Sequence, residues 1–181
     1  AAFNRFRVLC AVRHGEFGVD RVNERIASLL RDLALVEGRG EWYAGRPVMI
    51  AQNDYGLRLW NGDVGIALAT DAGRLRVHFE AGDGHAIAYP PVRLPRHEPV
   101  FAMTIHKSQG SQFETAAVLL PAPTSRILTR ELLYTAATRA RELLILAGTE
   151  ETIRAAVDRP VARASGLRWR LWGDEGPSST H

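Results

Sequence analysis

A short polar segment at residues 102–113, AMTIHKSQGSQF, concentrates side chains that could hold a phosphate group. Hydroxyls, an imidazole, an ammonium and backbone amides are the groups that commonly contact phosphate oxygens. The candidates are Thr104, His106, Lys107, Ser108 and Gln109. Lys107 is the single lysine among 23 lysine and arginine residues. A lysine presents a compact charge and an arginine a broad fork, so a narrow site distinguishes them. The segment predicts a phosphate-contacting loop; a solvated loop with an incidental histidine is the alternative.

The Lys107-Ser108 pair also matches the end of the phosphate-binding loop of ATPases. That loop needs glycines before the lysine, because its backbone N–H groups wrap around the phosphates. Residues 101–106 contain no glycine, and the acidic pair Asp174-Glu175 follows no apolar strand. The sequence therefore excludes a complete ATP site of this type within the chain.

A second group of interest is LYTAATRAR at residues 133–141, whose alanines and threonines predict a slim helix. On a helix, Arg139 and Arg141 would point about 200° apart. One could then pair with Glu131 or Glu142 while the other reaches a ligand. An isolated helical arginine is more often simply solvated.

Composition limits the class of protein. The chain has 181 residues, 46% of them hydrophobic and 24% charged, which suits one domain or one domain with a small insertion. A net charge of +3 is compatible with nucleic-acid binding but does not establish it. The single Cys10 excludes a disulfide framework and a cysteine-based zinc site. We expect a cytoplasmic location, no membrane contact, and a sequence that starts within a longer protein.

Alternating strand and helix patterns flank the two polar segments. The predicted strands are Arg5–Val12, Val100–Ile105, Ala116–Leu120 and Leu143–Ala147. The predicted helices are Gly18–Leu35, a helix from Thr129 as N-cap to Glu142, and Glu150–Val157. Thr104 to Gln109 would thus lie at the C-terminal end of a strand and in the turn that follows it, where open α/β sheets bind their ligands.

Between these parts the pattern changes to short strands separated by Gly, Asn and Asp, which predicts a small barrel. The predicted strands are Pro47–Ala51, Leu57–Trp60, Val64–Ala69, Leu75–Glu80 and Ala86–Tyr89. Asn61-Gly62 predicts a type I′ hairpin turn. The expected organisation is an α/β domain at residues 1–42 and 99–172, an insertion at 43–98 and a disordered tail at 173–181.

The two polar segments, taken in order, resemble motifs V and VI of superfamily 1 helicases. The sequence patterns T-x-H-K-S-Q-G-S-x-F and Y-T-A-x-T-R-A-R are similar to those of the RecD branch, the α subunit of exodeoxyribonuclease V. AVRHGEFGVDRVNERI resembles its motif IV, and GRPVMIAQNDYGLRLWNGDVGIA resembles its SH3-like subdomain 2B. The resemblance covers about Arg7 to Gly148. It implies a RecA-like motor domain 2A, with the parallel sheet of P-loop NTPases, and an inserted SH3-like β-barrel, 2B.

The resemblance also implies roles for individual residues. The backbone of single-stranded DNA would be held by Thr104, His106, Lys107 and Ser108. The nucleotide-binding set would comprise Arg13, Gln109, Gly110, Gln112 and Arg139. Among these, Arg139 would be the arginine finger for the γ-phosphate of ATP, and Arg13 would serve the same phosphate. Gln112 stands where the family often has an acid for the ribose, so a neutral hydrogen bond would replace a charged one there.

The implied function is the C-terminal motor half of an ATP-dependent 5′ to 3′ DNA helicase subunit in a RecBCD-type exodeoxyribonuclease V, acting in double-strand break repair and recombination. ATP and Mg²⁺ would bind only in the full-length protein, with Mg²⁺ held by domain 1A. The isolated chain is predicted to be inactive and to bind no cofactor tightly. Expected partners are single-stranded DNA, the N-terminal motor domain, and RecB- and RecC-like subunits.

Two other interpretations remain open from the sequence. The chain could belong to the helicase half of a conjugative relaxase or to another RecD-like helicase. It could instead be a non-enzymatic SH3-like binding module with an aromatic-lined groove. The groove candidates are Trp42, Tyr43, Tyr55 and Trp60.

Overall fold

The computed structural model describes residues 5–37, 40–82 and 84–161. The tail expected at 173–181 lies outside the described residues. In chain order the strands are β1 (Phe6–Cys10), β2 (Pro47–Ile50), β3 (Val64–Ala69), β4 (Leu75–Glu80), β5 (Ala86–Tyr89), β6 (His97–Pro99), β7 (Ala102–Thr104), β8 (Phe113–Leu119) and β9 (Ala140–Ala147). The helices are α1 (Val19–Asp32), α2 (Arg130–Ala137) and α3 (Glu150–Asp158). Within those residues no helix is long and apolar enough to span a bilayer.

Four strands form a parallel sheet in the order β7-β1-β8-β9. Cys10 at the end of β1 pairs with Thr104 on one side and Leu119 on the other. Since parallel strands end at the same edge of a sheet, the loops that follow β1 and β7 leave the sheet side by side. The predicted α/β layer is present.

Helices cover both faces of this sheet, as a buried parallel sheet requires. On one face, Val19 and Val22 of α1 pack with Cys10 and Ala102. The other face carries α2 and α3, and its core includes Leu9, Met103, Leu132, Ala136 and Ala156. Thr129 caps α2 as predicted, because its hydroxyl accepts the Leu132 N–H at 3.2 Å.

The predicted end of α2 was wrong. The helix stops at Ala137, and the chain re-enters the sheet at Ala140. Arg139 therefore lies between helix and strand, while Arg141 lies on β9. The two arginines therefore do not project from one helix as predicted, and they are separated because the chain changes from helix to strand between them.

The other five strands form an antiparallel sheet in the order β5-β4-β3-β2-β6. Val48, Ile50, Leu59, Ala67, Val77 and Phe79 form its core. The strand predicted at 57–60 was wrong: only an isolated bridge joins Asp54 and Leu59. Conversely, β6 was not predicted. The insertion boundaries and the SH3-like barrel remain predictions, although this sheet spans residues 47–99.

The Asn61-Gly62 pair does form a turn, but not the predicted one. Asp63 N–H donates to the Trp60 carbonyl at 3.0 Å, and Gly62 has φ 101°. Asn61 is not among the described residues with positive φ. A type I′ turn needs positive φ at both central residues, whereas a type II turn needs it only at the second. The turn is therefore a type II turn.

Candidate phosphate-binding loop and its cations

The loop after β7 is a compact turn held by its own backbone. Ile105 N–H donates to the Cys10 carbonyl at 3.0 Å, which continues the sheet beyond β7. Ser108 N–H donates to the Thr104 carbonyl at 3.1 Å, and Lys107 N–H donates to the Thr104 hydroxyl at 3.2 Å. Gly110 has φ 87°, a conformation that favours glycine. The sequence thus fixes the path of the loop locally.

The four predicted DNA contacts differ in exposure. His106 and Lys107 are exposed, and Thr104 is half-buried. Ser108 is fully buried, and its hydroxyl donates to the Ile105 carbonyl at 2.7 Å. In this arrangement the Ser108 side chain fixes the turn and does not face solvent. Only the other three side chains are open to a phosphate.

Lys107 does not stand alone at the surface. Its ammonium donates to Glu98 Oε1 on β6, and Arg13 Nη2 donates to Glu98 Oε2 at 2.8 Å. Arg13 Nε also lies 3.6 Å from Asp20 Oδ1. One carboxylate from the antiparallel sheet therefore joins the predicted DNA-contacting lysine to the predicted nucleotide-contacting arginine.

The electrostatics of this bridge follow from its position. Only 16% of the Glu98 side chain is exposed, and burial alone raises the pKa of its carboxyl group. The hydrogen bonds and charges of Lys107 and Arg13 outweigh burial, so the net pKa of Glu98 is lowered. The bond to Glu98 is also the largest cause of the raised pKa of Arg13. The bridge is a charged pair of contacts at neutral pH.

Arg139 binds the far end of the same loop. Its Nη1 donates to the Ser111 carbonyl at 3.0 Å and approaches the Ser108 carbonyl at 3.5 Å. Its Nε donates to the Thr135 carbonyl at 3.1 Å, and Nη2 donates to the Thr138 hydroxyl at 3.1 Å. The guanidinium therefore links the end of α2 to the loop. The predicted nucleotide-contacting arginine thus contacts the backbone of the predicted DNA-contacting loop.

Arg141 has a different partner. Its Nε donates to Gln112 Oε1 at 3.1 Å. The structure thus gives it a neutral partner, whereas the sequence suggested Glu131 or Glu142 for one of the two arginines. The Gln112 carboxamide, predicted to meet a ribose, is occupied by Arg141 in this arrangement.

A cleft of about 630 Å³ opens beside the loop. His106 and Gln109 line one side, and Thr129 and Thr135 of the α2 region line another. The cleft also contains Glu131, together with Arg126 and Arg159, for which the sequence suggested no role. Arg159 donates to the Ser125 carbonyl at 2.5 Å and so holds the chain before α2 in place.

Sequence reasoning also missed two positioning residues. Asn23 is buried in α1, where its amide nitrogen donates to the Ala102 carbonyl at 3.0 Å and its oxygen accepts the Ala102 N–H at 2.9 Å. It thereby satisfies the backbone of the edge strand β7, which carries the loop. The available signal was the asparagine within an apolar helix face. Glu98 gave no signal, because its partners lie 9 and 85 residues away.

The aromatic groove suggested for the insertion is not assembled from all four side chains. Tyr43 is buried, and Trp42 lies against Arg46, whose guanidinium carbon is 4.6 Å from the ring centroid. Tyr55 and Trp60 are exposed and contact each other edge to face at 5.3 Å between centroids. Two of the four side chains therefore serve internal packing.

The described residues offer cations for phosphate oxygens but no Mg²⁺ site. No group of three or more His, Cys, Asp or Glu side chains in residues 5–37, 40–82 and 84–161 could hold a metal ion. The site's inventory is therefore cationic and hydrogen-bonding, suited to binding phosphates rather than to coordinating a metal.

Comparison with solved structures supports the fold. The Pif1 helicase from Bacteroides in complex with ADP-AlF3 and single-stranded DNA matches with a TM-score of 0.58 at 16% identity, covering 94% of this chain and 45% of that one. A second Bacteroides Pif1 structure bound to single-stranded DNA gives 0.54 at 17% identity, covering 85% and 43%. At this identity the likeness shows the fold alone, a RecA-like α/β fold.

Sequence comparison shows the family. A UvrD-like helicase C-terminal domain matches residues 99–147. RecBCD enzyme subunit RecD of Mycolicibacterium smegmatis is 46% identical over 171 residues, 94% of this chain and 30% of the relative. The Haemophilus influenzae subunit is 41% identical, over 91% and 25%. The ATP-dependent RecD2 DNA helicase of Deinococcus radiodurans is 31% identical, over 91% and 23%. The chain thus spans less than a third of these relatives, and it belongs to the RecD-like helicases, in the region of their C-terminal helicase domain.

Proposed function

We propose that this chain supplies the second motor domain of an ATP-dependent DNA helicase that moves 5′ to 3′ on single strands. The observation that carries the proposal is the contact of the Arg139 guanidinium with the loop at Ser108 and Ser111. The residue proposed to sense the nucleotide and the loop proposed to hold DNA would thereby move together. The relatives named as RecD subunits and as a RecD2 helicase support the same activity.

The DNA contacts in this proposal are Thr104, His106 and Lys107, whose side chains face solvent at least in part. Ser108 contributes by fixing the turn. The loop contacts phosphates and reads no base, so binding is independent of sequence and weakens with salt. The exposed pair Tyr55 and Trp60 could add base stacking, since every base has a π-face.

Arg13 and Arg139, with Gln109 and Gly110 nearby, form the nucleotide side. Full ATP binding needs a partner domain that wraps the phosphates and holds Mg²⁺, because this sequence has neither motif. When ATP joins the two domains, an arginine finger neutralises charge that develops on the transferred phosphoryl group. The names of the relatives support assembly with RecB- and RecC-like subunits. A role in double-strand break repair and recombination is part of the proposal.

The decisive test compares Arg139→Ala with Arg141→Ala in the full-length protein. An arginine finger contributes about 10³–10⁵ to turnover, or roughly 4–7 kcal/mol. We expect Arg139→Ala to abolish most DNA-stimulated ATP hydrolysis. Arg141 donates to the neutral Gln112 at the surface, so its loss should reduce turnover by less than about 10-fold.

Steady-state ATPase assays at saturating DNA measure both effects, with thermal unfolding as the check on folding. Arg139 also holds the loop, so Arg139→Lys is informative: it keeps a charge but cannot make the same set of contacts. Comparable losses of turnover in Arg139→Ala and Arg141→Ala would mean that Arg139 is not the residue that contacts the nucleotide.

A further inference from the structure

The bridge Arg13–Glu98–Lys107 joins the two halves of the proposed motor site. Glu98 Oε2 accepts from Arg13, Glu98 Oε1 accepts from Lys107, and the carboxylate is largely shielded from water. We propose that Glu98 couples nucleotide binding to the DNA grip, because one negative charge is shared between two cations that each have a phosphate to bind. This inference rests on the proposed function.

The coupling follows from charge balance. A carboxylate between two cations divides its electrostatic attraction between them. When a nucleotide phosphate draws Arg13 away, a poorly solvated carboxylate keeps Lys107 as its remaining partner and holds it more tightly. A charge left without compensation in a partly buried site is costly, so this redistribution is favourable.

The redistribution of the contacts of Glu98 affects DNA binding through Lys107. Its side chain is 37% exposed, so a DNA phosphate and Glu98 compete for the same ammonium. A tighter hold by Glu98 weakens the contact of Lys107 with DNA. Nucleotide binding should therefore loosen this part of the DNA grip, and DNA binding should loosen Arg13 from the nucleotide by the same factor.

Glu98 is suited to this role by its position on β6. That strand belongs to the antiparallel sheet and lies directly before β7 and its loop. Arg13 follows β1, the neighbour of β7 in the parallel sheet. Arg13 has a second acidic neighbour, Asp20, whereas Glu98 is the acidic partner that the structure gives Lys107. The carboxylate thus connects side chains from two adjacent strand exits.

The test uses the full-length protein and Glu98→Gln, which keeps the size of the side chain and removes its charge. Fluorescence anisotropy of labelled oligothymidine gives the dissociation constant with and without a non-hydrolysable ATP analogue. The quantity compared is the dissociation constant with the analogue divided by the constant without it. In Glu98→Gln we expect this ratio to be about 5-fold lower than in wild type, which is the low end of typical allosteric coupling. A ratio within 2-fold of wild type, or a rise, overturns the inference.

Glu114→Gln is the matched control. Glu114 accepts from Arg5 Nε at 3.1 Å and so pairs with one cation on another part of the parallel sheet. Its substitution should leave the ratio unchanged. If Glu98→Gln does not fold, Glu98→Asp replaces it: the charge remains, but the shorter side chain cannot reach both cations, and the same fall in the ratio is expected.

Two further variants separate failure of this inference from failure of the proposed function. Arg13→Ala should raise the KM for ATP, and Lys107→Ala should weaken DNA binding and reduce its salt dependence. If neither effect appears, the assigned roles are wrong. If both appear and Glu98→Gln still leaves the ratio unchanged, only the coupling through Glu98 fails.

Discussion

The two sheets differ in how far along the chain their contacts reach. In the antiparallel sheet, β3, β4 and β5 pair with their neighbours in sequence, as in Ala69 with Leu75. In the parallel sheet, Val8 pairs with Ala102 and with Ala117. The candidate cations Arg13, Lys107 and Arg139 all lie next to strands of the parallel sheet. The candidate site is therefore built on long-range contacts, while the antiparallel sheet supplies one carboxylate.

This difference predicts that equal losses of stability will have unequal functional effects. Ile105 and Ile50 are both fully buried, the first in the parallel-sheet core and the second in the antiparallel-sheet core. Truncation of either to alanine should cost about 2–5 kcal/mol, because a cavity replaces the side chain. Ile105→Ala should also weaken single-strand binding, because a cavity at Ile105 allows the loop backbone to shift, including the Ile105 carbonyl that accepts the Ser108 hydroxyl.

Thermal unfolding and DNA titrations of the full-length variants, at a temperature where both remain folded, measure the two effects. Ile50→Ala should retain DNA affinity within about 2-fold of wild type, because the Ile50 side chain packs in the antiparallel-sheet core and not in the core beneath the loop after β7. If both variants weaken DNA binding equally, the loss of affinity follows from lower stability and not from the position of the substituted side chain.

The same contrast explains what could be predicted from the sequence. The bounds of β3, β4 and β5 were predicted correctly, because apolar alternation and turn residues are local signals. The end of α2 was misjudged, because alanine and threonine continue the helical pattern past Ala137. What ends the helix is the sheet: Phe113 N–H donates to the Arg139 carbonyl at 2.8 Å, which draws the chain into β9.

The candidate site was predictable only in part, for a related reason. The residue types of the loop indicate phosphate chemistry by themselves, and motif resemblance added Arg13 and Arg139. Burial of Ser108 and the bridge through Glu98 depend on how distant segments meet. A local pattern carries no information about such contacts, so these features required the structure.

A second prediction compares two tightly packed glycines, Gly18 directly before α1 and Gly65 on β3. A Cβ at Gly18 would lie 2.5 Å from the His14 carbonyl carbon and 2.6 Å from the Arg13 carbonyl oxygen. A Cβ at Gly65 would lie 2.7 Å from the Phe79 ring. Either alanine should cost about 1–3 kcal/mol through overpacking. Gly18→Ala should be the more harmful, because backbone yields less readily than a side chain.

The functional effects should again differ. Gly18→Ala displaces the turn that carries Arg13, so the KM for ATP should rise in the full-length protein. Gly65→Ala should lower the unfolding midpoint and leave that KM unchanged. Gly82→Ala is the control, since a Cβ there meets nothing within 4 Å. An unchanged KM in a folded Gly18→Ala protein would contradict the assignment of Arg13 to the nucleotide.

The smallest expected effect tests the Arg13–Glu98–Lys107 bridge between the two sheets, through the pH dependence of stability. The net pKa of Glu98 is lowered in the folded protein because its bonds to Lys107 and Arg13 outweigh burial, which alone would raise it. A group with a lowered pKa stabilises the fold above its unfolded pKa, about 4.3, and this contribution is lost as the pH falls through the folded pKa. Wild type should therefore exceed Glu98→Gln in stability by on the order of 1 kcal/mol at pH 7, and the difference should shrink below about pH 4.

The sign of that difference can be reversed by design. In a background of Arg13→Ala and Lys107→Ala, burial is left as the main influence on Glu98, so its pKa should rise above the unfolded value. Ionised Glu98 then destabilises the fold at pH 7, and Glu98→Gln should become the more stable protein in that background. Urea titrations of the four proteins at pH 7 and at pH 4 provide the measurement. If Glu98→Gln lowers stability equally in both backgrounds, the carboxylate stabilises the fold through contacts other than Arg13 and Lys107, and the charged link between the two sheets does not account for its contribution.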